Sequence, residues 1–235
     1  MKKLAIKRST LYTFISFIIS PFFSLIFIFR GLKRKNKTSM FFFVLVMMMI
    51  SLSFIPKISN DLARYYERYL FIQSNPFDTF LIYFFESKED FVYYFLIFSF
   101  AKLNIPLKVL TSLICGFIVG SRFFIIHKLF GNSLSGYKFF IVILTVFFSL
   151  SLAHTIAGHR YQLGLTFLIL SIYYNQIVPK KRTWIYLLLA SITHFSLMAF
   201  IPAMLLLKWI KNNHIYKTLF ILSFAFVFLD NFFVI

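Results

Sequence analysis

The residues able to do chemistry in this chain are few, and they fall in a handful of places. Asp61-Leu-Ala-Arg64-Tyr65-Tyr66-Glu67-Arg68 is the first. On a helix Asp61, Arg64, Tyr65 and Arg68 stand at i, i+3, i+4 and i+7 and share one face. Ser59 or Asn60 precedes them in a capping position. Such a face offers a carboxylate, guanidinium forks suited to phosphate or carboxylate oxygens, and phenols that stack on sugars or lie at a membrane surface. The plainer alternative is a surface helix whose ion pairs satisfy one another. Asp90-Phe91-Val92-Tyr93-Tyr94 opens an apolar run. Asp90 there either complements a helix dipole or serves a site. His154-Thr-Ile-Ala-Gly158-His159-Arg160-Tyr161-Gln162 lies between two apolar runs. Arg160 either reaches back to water along its own stem or meets a phosphate-bearing ligand. His194-Phe195-Ser196 sits inside a further apolar run. Histidine is the residue type that exchanges a proton near neutrality, so it suits a general base or a partner for a sugar hydroxyl. A packing histidine bonded to a neighbouring helix is the alternative.

Several chemistries lack their residues. His154 and His159 are spaced poorly for one metal on one helix face, and there is no His-Glu-x-x-His and no cysteine pair, so no metal or other cofactor is expected. The single Cys115 reads as packing. No glycine-rich phosphate loop and no Gly-x-Ser-x-Gly is present, which disfavours a nucleotide-driven enzyme. Any reaction must use a substrate that arrives already activated.

The elements that hold these residues are apolar. The chain has 235 residues, of which 60% are hydrophobic and 14% charged, and Phe alone supplies 36. Soluble domains are typically ~45–50% apolar and ~25% charged. That contrast excludes an ordinary soluble domain, and disorder needs low hydrophobicity. Apolar runs occupy 11–29, 40–56, 91–101, 107–126, 139–153, 161–178, 184–207 and 218–235. Crossing a bilayer takes ~20 residues of helix, and helices satisfy their own backbone in lipid. The expected architecture is all-α: a polytopic integral membrane protein with six to eight transmembrane or re-entrant helices, forming one membrane-embedded domain over residues 1–235.

Net charge is +18. Four of the 25 Lys and Arg lie in residues 57–90, leaving 21 elsewhere; six of the seven acids lie there, leaving one. Arg30, Lys33, Arg34, Lys35 and Lys37 form a basic loop, and Lys180, Lys181 and Arg182 a second, both reading as cytoplasmic. Segment 57–90 then falls outside, at the interface. With bases dispersed among short loops, the charge reports topology and nucleic acid is not an expected partner. Run 11–29 has basic residues on both flanks. A hairpin broken at Pro21, or an interfacial helix, resolves this; a plain span is the alternative. Run 91–101 either crosses by continuing through Ile105 or stops partway, and stopping fits the charges best. Arg122 and Lys128 then fall inside and Arg160 outside. Lys208, Lys211 and Lys217 fit only if 184–207 turns back near Pro202.

The ordered set of a basic loop, one span, Asp-x-x-Arg-Tyr-Tyr, an aromatic helix opened by Asp, Gly-x-Arg-x-Gln before a span, Lys-Lys-Arg and a span with His-Phe-Ser resembles the EpsG family. These are bacterial multi-pass membrane proteins related to the Wzy O-antigen and capsule polymerases. The resemblance runs from Arg30 to about Lys211. It implies a glycosyl-transferring polymerase of the cytoplasmic membrane. Such an enzyme joins undecaprenyl-diphosphate-linked oligosaccharide repeat units at the outer face, among other polysaccharide-assembly proteins. It carries a substrate-binding role onto Arg160, Arg64, Tyr65, Asp90, Tyr94, Gln162 and Ser196, and a catalytic role onto His194 and Asp61. The family often has Pro where this chain has Phe91, and it commonly continues for several helices beyond the point matching Ile235, so the readings are a short member, a fragment, or a truncated and inactive product. The competing readings are a transporter or flippase of lipid-linked sugars and a noncatalytic subunit of a biosynthetic complex.

Overall fold

The computed structural model of the protein describes residues 8–55, 61–75, 91–149, 158–177 and 182–209. Ser59, Asn60, Asp90, His154, Lys180, Lys181 and the run 218–235 lie outside the described residues. Among those described, all regular structure is helical. In chain order the helices are α1 (Arg8–Ile19), α2 (Pro21–Lys33), α3 (Lys37–Ser53), α4 (Asp61–Ser74) and α5 (Phe91–Lys102). They continue with α6 (Leu107–Phe130), α7 (Gly136–Ser149), α8 (His159–Gln176), α9 (Arg182–Thr193) and α10 (Phe200–Trp209), with a 3-10 turn at Phe195–Ala199. The chain divides into two compact units, Met1–Leu197 and Met198–Ile235. Helices α1 to α9 belong to the first.

Run 11–29 is a hairpin. Ser20 is extended, and its side chain accepts from the Phe23 N–H. Pro21 opens α2 at a position where its missing N–H costs nothing. Tyr12 on α1 then stacks on Phe27 of α2, with ring centres 6.3 Å apart. The start of α1 and the end of α2 thereby meet at one end. The turn into α3 is local in origin. Lys35 takes a left-handed φ of 56°, and the Asn36 side chain caps α3 by accepting from the Thr38 N–H. Gly31 lets α2 and α3 converge, since a Cβ there would sit 1.8 Å from Ser39 Oγ.

Helix α6 is the hub, and its sequence explains why. Leu107, Leu110, Ile114 and Ile118 form one stripe at helical spacing; Cys115, Val119, Phe123 and Ile126 form another. The second stripe meets α2, α3 and α7, and the first meets α4, α5 and α8. Helix α3 runs antiparallel to α6. Ser112 Oγ donates to the Met48 carbonyl (2.9 Å), and Phe43 meets Phe123 edge-on at 5.4 Å. Helix α8 runs parallel to α6, with Phe117 against Phe167 (5.4 Å) and Phe124 against Tyr173 (5.8 Å). Helix α9 returns antiparallel along α8. Ser171 Oγ donates to the Thr183 carbonyl (2.9 Å), and Tyr174 stacks on Tyr186 (5.4 Å).

Two expectations about boundaries are resolved. Helix α5 stops at Lys102 and does not continue through Ile105. Asn104 turns left-handed (φ 55°), and Pro106 then opens α6. Its 12 residues span ~18 Å. The run 184–207 breaks at His194 and the following 3-10 turn, earlier than the position near Pro202 that would have reconciled Lys208, Lys211 and Lys217 with the charge rule. Pro202 falls in the first turn of α10, where proline is tolerated and ends nothing. Among the described residues, α6 is the helix long and apolar enough to cross a membrane. Helices α3, α5 and α7 are apolar but shorter.

Candidate functional site

The parallel pairing of α6 with α8 and the antiparallel return of α9 bring the start of α8 and the end of α9 together. Tyr161 meets the His194 ring edge-on at 5.3 Å. Gly164 makes this approach feasible. A Cβ there would lie 3.2 Å from His194 Cβ and 2.8 Å from Leu197 Cδ1. His194 therefore stands just past the end of α9, half-buried. Ser196 is exposed on the 3-10 turn.

Helices α4 and α5 lie side by side in the same direction and supply the other residues. The Tyr65 ring is 4.8 Å from Tyr93 and 6.3 Å from Tyr94. The Arg68 guanidinium lies over the Tyr94 ring at 4.8 Å, a cation–π contact. Tyr69 Oη donates to the Ile105 carbonyl (2.9 Å) and Gln73 Nε2 to Asn104 Oδ1 (3.0 Å), which fixes the two helices in register. Tyr93 is fully buried. Both Arg160 and Asp61 lie within electrostatic reach of its hydroxyl. The Tyr93 hydroxyl and one buried terminal nitrogen of Arg68, Nη1, have no hydrogen-bond partner among the described residues. On α4, burial and the neighbouring Tyr69 hold the Tyr66 phenol above its ordinary pKa, so it stays protonated.

Of the residues expected from the sequence, Tyr65 thus packs on both Tyr93 and Tyr94, Asp61 and Arg160 lie within electrostatic reach of the Tyr93 hydroxyl, and His194 stands beside Tyr161 on the helix that carries Arg160. The structure separates others. Arg64 faces outward and pairs with Asp61 on the same helix; their side chains are 72% and 46% exposed. The shared face of Asp61, Arg64, Tyr65 and Arg68 is therefore divided: its inner edge carries Tyr65 and Arg68, its outer edge Arg64. Gln162 does not join Arg160. Two positions along a helix rotate ~200°, so the two side chains diverge. Gln162 points into the bundle and accepts from Arg122 Nη2 at 2.8 Å, both residues being 6% exposed.

Arg68, Tyr93 and Arg122 were not among the residues given a binding or catalytic role from the sequence. Arg122 carried a signal, being a lone charge inside an apolar run. Adjacent Tyr93 and Tyr94 gave no sign of which one turns inward, because that depends on where α4 lies. His159 is fully buried beside the Thr111 backbone, and neither ring nitrogen makes a hydrogen bond of good geometry among the described residues. No group of acidic, His or Cys side chains among the described residues is arranged to hold a metal. No model of a known protein family, no curated protein and no solved structure matches the chain.

Proposed function

We propose that the chain is a multi-pass protein of the bacterial cytoplasmic membrane, of the EpsG and Wzy polymerase type. It would join oligosaccharide repeat units carried on undecaprenyl diphosphate at the outer membrane face. The observation that carries this reading is the packing of Tyr65 on Tyr93 and of His194 on Tyr161, with Arg160 and Asp61 within electrostatic reach of the Tyr93 hydroxyl. Membrane residence is supported by an apolar exterior. Ile18, Ile19, Phe22 and Phe23 at the hairpin tip are each more than half exposed, which water penalises and lipid does not. Helix α6, at 24 residues, is ~36 Å long. The orientation is supported by charge. The turns after α2 and α6 share one end, joined by Lys35, and hold Arg30, Lys33, Arg34, Lys37, Lys128 and Lys138. That end is the cytoplasmic one by the positive-inside rule.

The reaction asks little covalent chemistry of the protein. An acceptor-sugar hydroxyl attacks the anomeric carbon of the donor's lipid-linked sugar. The bond from that carbon to the diphosphate oxygen breaks, and its electron pair leaves with the lipid diphosphate. The Arg160 guanidinium holds those phosphate oxygens and offsets the growing charge. The hydroxyl proton passes to His194; the Asp61 carboxylate is already engaged by Arg64. Tyr65 and Tyr94, both buried, pack together and hold Arg68 and Tyr93 in place beside the substrate. Positioning accounts for much of the rate.

Strains carrying Arg160→Ala or His194→Ala, with the protein still present in membranes, are expected to lose long-chain polymer. Normal chain lengths in both would sink the assignment. Purified protein given lipid-linked repeat units should lengthen them, whereas a transporter or a noncatalytic subunit leaves them unchanged.

A further inference from the structure

Charge on the inner edge of α4 is arranged differently from its outer edge, and the difference assigns a second cation to the site. Arg64 is solvent-exposed and already paired with Asp61. A guanidinium in that state gains little from a ligand, because exposed ion pairs exchange with water at small net benefit. Arg68, one turn further on, is held against the Tyr94 ring, and its Nη1 is buried without an acceptor among the described residues. The Tyr93 hydroxyl, in the same aromatic cluster around Tyr65, is buried and also lacks a partner among the described residues. Buried polar groups in folded proteins are nearly always hydrogen-bonded, and exceptions call for an unplaced partner. Arg68 can only donate, and the phenol can donate as well as accept, so one ligand with acceptor oxygens satisfies both. Arg160 adds a further positive charge within reach of the same phenol.

We infer that Arg68, with the Tyr93 hydroxyl, forms the inner half of a diphosphate-binding site that Arg160 completes, and that Arg64 is not part of it. This rests on the polymerase reading for the identity of the lipid carrier but not for the anion itself. The shared chemistry is a diphosphate ester. Two acidic phosphates present several acceptor oxygens, enough to meet two guanidinium forks and one hydroxyl together. The ring under Arg68 holds its fork in one plane before the ligand arrives, which lessens the ordering cost of binding.

The test is calorimetric titration of the full chain in detergent micelles with three probes: inorganic pyrophosphate, farnesyl diphosphate and farnesol. The expected result is binding of both diphosphates and not of farnesol. Arg68→Ala should weaken diphosphate binding ~10-fold or more, the scale of a lost charge-assisted contact. Arg68→Lys should recover part of it, and Arg64→Ala should change it by less than ~2-fold. Tyr93→Phe, which keeps the ring, guards against a merely unfolded Arg68→Ala and should also weaken binding. Farnesyl diphosphate binding well above pyrophosphate identifies a lipid-borne source; equal binding identifies the free anion as sufficient. Failure of the wild type to bind either diphosphate overturns the inference. So does an Arg64→Ala loss exceeding that of Arg68→Ala. A protein that binds diphosphate through Arg68 yet extends no repeat units would retain this site while the polymerase reading falls.

Discussion

The Arg122–Gln162 contact ties α6 to α8 in the interior, and its removal has a predictable cost. Both residues are 6% exposed, and Arg122 Nη2 donates to Gln162 Oε1 at 2.8 Å. Neutral interhelical hydrogen bonds in membrane proteins average only ~0.6 kcal/mol. A buried bond from a charged donor is worth ~1.5–3 kcal/mol, and a buried polar group deprived of its partner bears the full desolvation penalty. Gln162→Leu keeps the volume and removes the acceptor, so it should cost ~2 kcal/mol, about a 30-fold shift in the folding equilibrium. Arg122→Leu combined with Gln162→Leu replaces both partners with apolar groups and should recover most of that loss. The assay is a double-mutant cycle by reversible unfolding in mixed micelles, with α8 reported by the fluorescence of an introduced probe. A coupling of ~1 kcal/mol or more is expected; one below ~0.5 kcal/mol, the level of ordinary non-additivity, refutes the reasoning. Because Gln162 faces away from Arg160, the double variant should also keep diphosphate binding.

Tyr65→Ala removes a ring 5% exposed and packed on Tyr93 and Tyr94; it should cost ~3–5 kcal/mol of unfolding free energy and abolish diphosphate binding. Gly164→Val puts branched carbon where His194 Cβ and Leu197 Cδ1 leave no room. It should cost ~1–3 kcal/mol and shorten polymer, whereas Gly164→Ser should be milder on both measures. Lys35→Met forfeits the bonds from Nζ to the Gly131 and Leu134 carbonyls but keeps a strained left-handed φ. Lys35→Gly forfeits the same bonds and relieves the strain, so its unfolding midpoint should lie above that of Lys35→Met. The reverse order would remove the case for strain at this turn.

What the sequence made legible follows the range of the forces involved. Helix content was legible because long apolar runs leave one way to satisfy a backbone. The hairpin at Ser20–Pro21 was legible as one of the stated alternatives, since proline and basic flanks act locally. The break at His194 was not, because nothing within 184–207 marks it as strongly as Pro202 does. It depends on Gly164, 30 positions earlier, allowing α9 to close on α8. Within the candidate site, Asp61, Tyr65 and Arg160 stood out by residue type and spacing, whereas Tyr94 came only with the resemblance. Their neighbours did not stand out. Choosing between Arg64 and Arg68, or between Tyr93 and Tyr94, requires knowing which edge of α4 faces α5, and periodicity alone gives a face without its partner. Gln162 was grouped with Arg160 by adjacency in a motif, and helix geometry turns them apart.

The contacts that hold α3 have a consequence for the order of assembly. Ser112 reaches the Met48 carbonyl across 64 positions, and Lys35 reaches Gly131 across 96. At a synthesis rate of ~5–20 residues per second, Gly131 emerges ~5–20 s after Lys35. Helices α1 to α3 must therefore exist as a three-helix precursor long before their hub arrives. The features that shape them on their own are the short-range ones: the Ser20 break, the Asn36 cap and the close passage of Gly31 past Ser39. A lesion at Gly31 should accordingly reduce the yield of newly made protein more than it lowers the stability of protein already folded.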